Sequence, residues 1–168
     1  QTCMSKQPRR KNSIRRPNWD YRTPAFYFVT ICTFQRLHHF DSPQLKLLAE
    51  TLWQQIPTFD SWNHIQLDAW VVMPNHIHFL FYLGETVEYR WMPLANYFMP
   101  RSVGAVIGAY KGIAARRAKP MVDDPDFKLW QRGYYDHIIR NEESLFHIRE
   151  YIKNNPLNWN KDRFYQNR

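Results

Sequence analysis

The residues with the clearest chemical potential are two histidines one residue apart, His76 and His78, and a tyrosine–asparagine pair four apart, Tyr151 and Asn155. Side chains alternate along a strand, so His76 and His78 point to one face, and Ile77, Phe79 and Phe81 to the other. Two neutral imidazoles side by side can hold a divalent cation. The same pair could equally be satisfied by ordinary hydrogen bonds. On a helix, His147, Tyr151 and Asn155 fall at i, i+4 and i+8. They adjoin an apolar stripe of Leu145, Ile148 and Ile152, since positions 148 and 151 are roughly 60° apart. An asparagine oxygen could supply a third metal ligand one turn from the tyrosine hydroxyl. Alternatively, Tyr151 is an amphipathic packing residue and Asn155 a helix-end residue before Pro156.

The chemistry of the full set is coherent. Two histidines and one amide leave open positions on a cation, which could polarise a phosphate and offset developing charge. Tyrosine is a weak nucleophile at its ordinary pKa of about 10 and needs such help. Its attack on a phosphodiester would leave a phosphotyrosine and a free hydroxyl. That link keeps the phosphoester energy, so a second hydroxyl could reverse the step without ATP. Nitrogen and oxygen donors without a thiolate favour Mg2+ or Mn2+ over structural zinc.

Local signals predict the elements that must position these groups. Phe26–Phe34 is rich in aromatic and β-branched residues and reads as a strand. Asp41-Ser42-Pro43 offers a cap and a first-turn proline for a helix carried by Leu45, Leu48, Leu52 and Ile56. Ile65–Met73 and the strand from His76 to Leu83 are separated only by Pro74-Asn75, which implies an antiparallel hairpin. Residues 84–101 are irregular and long for a connection. Ser102 caps a helix reaching about Lys119, and Tyr134–Ile139 reads as a short strand. Asn141, followed by Glu142 and Glu143, opens a last helix that Pro156 ends. The order is β-α-β-β-α-β plus one helix. That predicts an α+β, ferredoxin-like antiparallel sheet with both internal helices on one face. The additional C-terminal helix, carrying Tyr151, has the histidine-bearing face left to it.

Composition bounds the rest. The 168 residues suit one domain, and 44% hydrophobic with 17% aromatic content can fill a core. No apolar run is long enough to span a membrane. The first residues lack the apolar stretch of a secretory signal. Two cysteines, Cys3 and Cys32, cannot build a disulfide framework, which points to a reducing, cytoplasmic setting. Net charge is +8. Residues 1–22 hold Lys6, Arg9, Arg10, Lys11, Arg15, Arg16 and Arg22 against Asp20 alone, so most of the excess sits in one arm. Such arms bind polyanions by releasing counterions. Lys111, Arg116, Arg117 and Lys119 form a second basic cluster on a predicted helix; they point in several directions, which suits a solvated surface, and the first three are candidates to meet DNA. The expected organisation is an arm over 1–22, a domain over 23–160 and a tail over 161–168.

Three segments resemble the REP-associated tyrosine transposases, a group within the single-tyrosine HUH transposases. WVVMPNHIHFLF (70–81) resembles the His–apolar–His motif. LWQRGYYDHIIRNEESLFHIREYIKNNP (129–156) resembles the C-terminal signature, and AFYFVTICT (25–33) the opening strand. The resemblance spans roughly residues 10–160. It implies metal-dependent cleavage and strand transfer of single-stranded DNA at REP-type hairpins, through a 5′-phosphotyrosine. It carries His76 and His78 to the metal pair, Tyr151 to the nucleophile and Asn155 to the third ligand, with Mg2+ or Mn2+ as the cation. It implies DNA contacts from the Arg9–Arg22 region, a bacterial nucleoid-associated setting, and a monomer or homodimer. The segment 84–101 is longer and more aromatic than the resemblance leads one to expect.

Other readings compete. A ferredoxin-like order also serves non-catalytic DNA- or RNA-binding modules, although binding alone needs no histidine pair. A histidine-triad hydrolase would need a histidine at Leu80. Tyr134 and Tyr135 are rival nucleophiles that strand packing explains better. His147 could assist proton transfer, His137 suits a structural role, and Trp19, Tyr21, Trp91 and Tyr97 could stack on unpaired bases.

Overall fold

A computed structural model describes residues 19–85 and 101–165. The arm residues Arg9, Arg10, Lys11, Arg15 and Arg16, and Trp91 and Tyr97 of the irregular segment, lie outside the described residues. Four strands, β1 (Ala25–Cys32), β2 (Ile65–Met73), β3 (His76–Leu83) and β4 (Tyr135–Ile139), form one antiparallel sheet in the order β2-β3-β1-β4. Helices α1 (Pro43–Gln55) and α2 (Val103–Ala118) connect them, and α3 (Glu142–Asn154) follows β4. This is the expected ferredoxin-like arrangement with an added C-terminal helix.

Strand β1 ends two residues earlier than its composition predicts. Beyond it Thr33 forms only an isolated bridge with Trp130, and its N–H donates to the Asn75 carbonyl of the β2–β3 turn at 3.0 Å. The chain then turns through Gln35 and Arg36, both left-handed with φ of 50° and 57°. Side chains other than glycine adopt that conformation at a cost, so this tight corner is held by its surroundings.

The two faces of the sheet carry two cores. Tyr27, Val29, Ile31, Ile77, Phe79 and Phe81 pack under α1 and α2, against Leu52, Trp53, Ile107 and Tyr110. Trp53 stacks on Phe79 with ring centroids 3.9 Å apart, and the Tyr110 hydroxyl donates to the Ala49 carbonyl. On the opposite face Leu80 and Ile139 meet Leu145 and Ile152 of α3, with Phe26, Phe28, Ala69 and Val71 alongside. The apolar stripe of α3 therefore packs on the histidine-bearing face, as its spacing predicts.

A β-bulge lets β2 serve both cores. Leu67 pairs with Phe81, and Ala69 pairs with Leu80, so the register slips by one residue at Asp68. Before the slip the odd-numbered residues Ile65 and Leu67 join the α1/α2 core. After it the even-numbered Trp70 and Val72 do, while Ala69 and Val71 turn to α3. Asp68 itself reaches the guanidinium of Arg149 on α3, its Oδ1 accepting from Nε at 2.9 Å. Helix α3 is thus tied to β2 two residues before Tyr151.

The chain does not trail away after α3. Pro156–Lys161 forms a 3-10 turn, and the following residues return to the sheet. Phe164 is buried and Asp162 carries a side chain only 1% exposed. The expected tail over 161–168 is, through Tyr165, part of the folded body. Among the described residues, no helix is long and apolar enough to cross a membrane.

Candidate active site

The centre of the site is set by strand register. His78 lies opposite Thr30 of β1, and His76 opposite Cys32. Thr30 Oγ1 is 2.7 Å from His78 Nδ1, and Asn75 Oδ1 is 2.8 Å from His76 Nδ1. Asn75 is itself oriented, because its Nδ2 donates to the Phe164 carbonyl at 2.9 Å. Its amide oxygen must therefore face His76, which places the imidazole proton on Nδ1 and the lone pair on Nε2. Both rings turn their Nε2 atoms inward, 3.1 Å apart. Outer partners that fix a histidine tautomer in this way are typical of metal-ligating imidazoles.

Three further groups close on that pair. The Tyr151 hydroxyl lies 3.2 Å from His78 Nε2 and donates to Asp162 Oδ2 at 2.9 Å. Asn155 Nδ2 donates to the same carboxylate oxygen at 2.9 Å, and the Phe164 N–H to its other oxygen at 2.7 Å. That Asp162 oxygen stands 3.9 Å from His76 Nε2 and 4.0 Å from His78 Nε2. The Phe164 ring covers His76 at a centroid distance of 4.7 Å, and Phe28 stacks on His78 at 5.1 Å. Both histidines are essentially inaccessible. Beside them a cleft of about 540 Å³ opens between Phe28, Thr30, His78, Tyr135, Tyr151 and Arg163.

Burial, followed by the neighbouring His78, pushes the His76 pKa down to about 3. Burial also lowers His78. Both imidazoles are therefore neutral donors at physiological pH. Burial works against ionising Asp162, but hydrogen bonds from His78, the Phe164 N–H, Asn155 and Tyr151 outweigh it and hold the carboxyl below its usual range. Burial and then the Asp162 hydrogen bond push Tyr151 up to about 12, so its hydroxyl keeps its proton. The site assembles a protonated tyrosine beside two neutral imidazoles and one negative charge.

These shifts make the protein acid-sensitive. His76 stays neutral in the fold down to about pH 3, whereas its unfolded value is 6.5. The unfolded chain binds the extra proton across that window, so stability is lost as pH falls through it. Asp162, ionised in the fold, adds to the loss below its ordinary value of 3.8. Urea midpoints measured in EDTA should fall steadily from pH 7 to pH 4, and His76→Gln should flatten the curve. A flat wild-type curve would contradict this account.

A metal fits the donor set. Two inward imidazole nitrogens 3.1 Å apart face a buried carboxylate, and all three candidate donor atoms lie within 4.8 Å of one another. Cys32, beside His76, has its thiol pKa raised by burial, so no thiolate competes. The donors are nitrogen and oxygen, a set that suits a divalent cation.

The structure distributes the predicted residues unevenly. His76, His78, Tyr151 and Asn155 converge within one chain, as their spacing suggests. Asn155, expected as a ligand, donates through Nδ2 to Asp162, and its buried Oδ1 has no hydrogen-bond partner. Tyr135 shares the cleft with Tyr151, while Tyr134 packs against the α1/α2 core. His147 is exposed and pairs with Glu143, and His137 is exposed along the cleft. Tyr21 is core, and Trp19 donates to the Tyr27 hydroxyl.

Among the basic residues expected to meet DNA, Arg22, Lys111, Arg116 and Arg117 lie within the described residues. Lys111 is turned inward, donating to the carbonyls of Gln131 and Gly133 at 2.6 and 2.8 Å, and burial lowers its pKa to about 8. It fastens α2 to the loop before β4. Arg116 and Arg117 are exposed on α2, across the sheet from the histidines. Arg22 is paired with Asp20 at 2.7 Å, which offsets its charge.

Asp162, Thr30 and Asn75 were not expected from the sequence. Asp162 lies beyond the last regular helix, with no periodic spacing to mark it. Thr30 acquires its role only through pairing with His78.

No family model matches the chain. It is 32% identical over 171 residues to an uncharacterized protein of Haemophilus influenzae, a match covering 92% of this chain and 93% of that one. Among solved structures it resembles a REP-associated tyrosine transposase bound to a REP hairpin, with a TM-score of 0.50 and 19% identity, over 88% of this chain and 74% of that one. It also matches a structure from Deinococcus radiodurans, provisionally described as a transposase, with a TM-score of 0.47, 23% identity and coverage of 83% and 95%. The fold is that of the REP-associated tyrosine transposases. The chain belongs to one family with the Haemophilus influenzae protein.

Proposed function

We propose that this protein cleaves and rejoins single-stranded DNA through Tyr151, assisted by a divalent cation at His76 and His78. The observation that carries the proposal is the Tyr151 hydroxyl 3.2 Å from His78 Nε2, within one enclosed cluster. A pure binding module has no use for two inaccessible imidazoles with inward lone pairs closed on a tyrosine.

Strand β3 holds the imidazoles, Thr30 and Asn75 orient them, and α3 delivers the nucleophile. The phosphodiester enters from the cleft beside Tyr151, where Arg163 supplies positive charge for its oxygens. Tyr151 Oη bonds to phosphorus as the bond from phosphorus to the 3′ oxygen breaks. The departing 3′ oxygen takes a proton, leaving a 5′-phosphotyrosine and a free 3′-hydroxyl. A bound Mg2+ or Mn2+ would supply charge for the pentavalent phosphate and make the tyrosine easier to ionise. A second 3′-hydroxyl entering the same cleft reverses the step, and no external energy is needed.

The substrate class follows from the fold relative whose structure holds a REP hairpin. A base-paired stem beside a flexible single strand would present an unpaired phosphodiester to the narrow cleft. Incubating the protein with a labelled single-stranded REP-type hairpin, with Mn2+ or with EDTA, tests the reading on a denaturing gel. A protein-linked DNA band with Mn2+ and none with EDTA is expected. Tight binding without a linked band, even with Mn2+, would leave a DNA-binding module.

A further inference from the structure

Resting on that reading, we infer that Arg36, at the left-handed corner after β1, is a phosphate-binding residue that holds the DNA backbone one step from the phosphate Tyr151 attacks. Tyr135, Arg163, Phe164 and Arg36 form a ladder in which rings and guanidinium groups alternate. The Arg163 guanidinium lies 5.5 Å from the Tyr135 ring centroid and 4.4 Å from that of Phe164, and Arg36 lies 4.6 Å from Phe164. Tyr135 and Arg163 border the cleft beside Tyr151. The ladder therefore starts where the phosphodiester enters and continues to the corner that carries Arg36. Rings interleaved with cations hold single strands by stacking and by charge.

Charge and backbone both favour an anion there over simple packing. Arg22 and Arg149 each meet a carboxylate, Asp20 and Asp68. Among the described residues, Arg36 and Arg163 form no ion pair. The Asp162 carboxylate, next to Arg163 in sequence, is taken by the Tyr151 hydroxyl, the Asn155 amide and the Phe164 N–H. Because both guanidinium groups sit on one ring, their charges stand no further apart than about a Debye length, roughly 10 Å at 0.1 M salt. A phosphate between them relieves that repulsion. The backbone adds a second sign. Gln35 and Arg36 hold φ of 50° and 57°, a conformation that glycine would adopt without steric cost. Strain retained in this way clusters where a side chain serves something beyond the fold. At position 36 the side chain so placed is the outer guanidinium of the ladder.

Affinity of the full chain for a labelled single-stranded REP-type hairpin, measured in EDTA over a range of salt, tests this apart from the chemistry. Arg36→Gln should weaken binding about tenfold and lower the slope of log affinity against log salt by about 0.7, the value for one phosphate of a single strand. Arg36→Lys keeps the charge but loses the flat face on Phe164, so it should restore the slope and most of the affinity. If both variants lose affinity and slope alike, Arg36 packs on the ring and holds no phosphate. Hairpins carrying one neutral methylphosphonate, moved stepwise along the unpaired strand, locate the contact. A methylphosphonate beside the cleaved position should weaken wild type about tenfold and leave Arg36→Gln unaffected, the non-additivity of a direct pair. Arg36→Gly, suited to the left-handed backbone, replaces Arg36→Gln in both comparisons if the latter melts low. Unchanged affinity and slope in Arg36→Gln, or no coupling beside the cut, overturns the assignment. If wild type binds the hairpin but forms no DNA link with Mn2+, the Tyr151 chemistry fails, and coupling at one position still establishes Arg36 as a phosphate contact. If wild type does not bind the hairpin, both readings fall.

Discussion

Tyr151→Phe should reduce protein–DNA covalent linkage by roughly 10⁴-fold or more, the scale of losing a nucleophile outright. Hairpin affinity should stay within about threefold, because the ring and its edge contact with Phe28 remain. Only the hydroxyl is lost, with its bonds to Asp162 and His78. Asp162 keeps Asn155 and the Phe164 N–H, and Tyr151 is 41% exposed, so the change in stability should be about 1 kcal/mol or less. A denaturing gel and a binding titration on the same preparation separate the two effects. Persistence of the linked band would transfer the role to Tyr135, the other tyrosine in the cleft. Loss of binding together with cleavage would mean that the hydroxyl holds DNA rather than attacking it.

His78→Ala should be nearly as severe, with cleavage reduced by about 10³-fold or more and Mn2+ affinity lost. His78 meets every other element of the site: Thr30 outward, His76 beside it, Tyr151 and Asp162 in front. Its removal takes away a ligand and leaves the Asp162 carboxylate with less compensation in an enclosed place. Removing one partner from such a cluster is costly, so a lower melting temperature in EDTA should accompany the loss. His78→Gln distinguishes the two contributions, because it keeps a polar group against Thr30 but is a poor imidazole substitute. Stability should recover in that variant while cleavage stays low. Full cleavage by His78→Gln would show that the imidazole is not needed as a ligand.

Local rules account for much of the molecule. The period-two pattern of residues 65–83, broken only by Pro74-Asn75, specifies a hairpin, and β2 and β3 run from Ile65 to Met73 and from His76 to Leu83. The same alternation puts His76 and His78 on one face whatever the rest of the chain does. Ser42, Ser102 and Asn141 each cap a helix by accepting a backbone N–H three residues on, a local interaction that spacing alone reveals. The three-residue and four-residue periodicity of α3 fixes Tyr151 and Asn155 beside the stripe of Leu145, Ile148 and Ile152. The order of elements then leaves one sheet face for that stripe.

Contacts between distant residues followed no such rule. The bulge at Asp68 changes which residues of β2 face α3, and nothing in the alternation of residues 65–73 announces it. Lys111 looks like a surface cation in a helical pattern, yet two carbonyls from the loop before β4 draw it inward. Thr30 and Asn75 became tautomer-setting partners through strand register and a turn. Asp162 is the clearest case. Residues 156–165 contain neither a helical nor a strand period, so the sequence marks them as an end. Their position is decided by the burial of Phe164 on His76 and by the hydrogen bonds that gather four groups around one carboxylate. Periodicity and capping act between near neighbours and can be read along the chain. The enclosure that makes two imidazoles neutral, raises a tyrosine to about 12 and keeps a carboxylate ionised comes from groups up to 89 residues apart, and exists only once the chain has closed on itself.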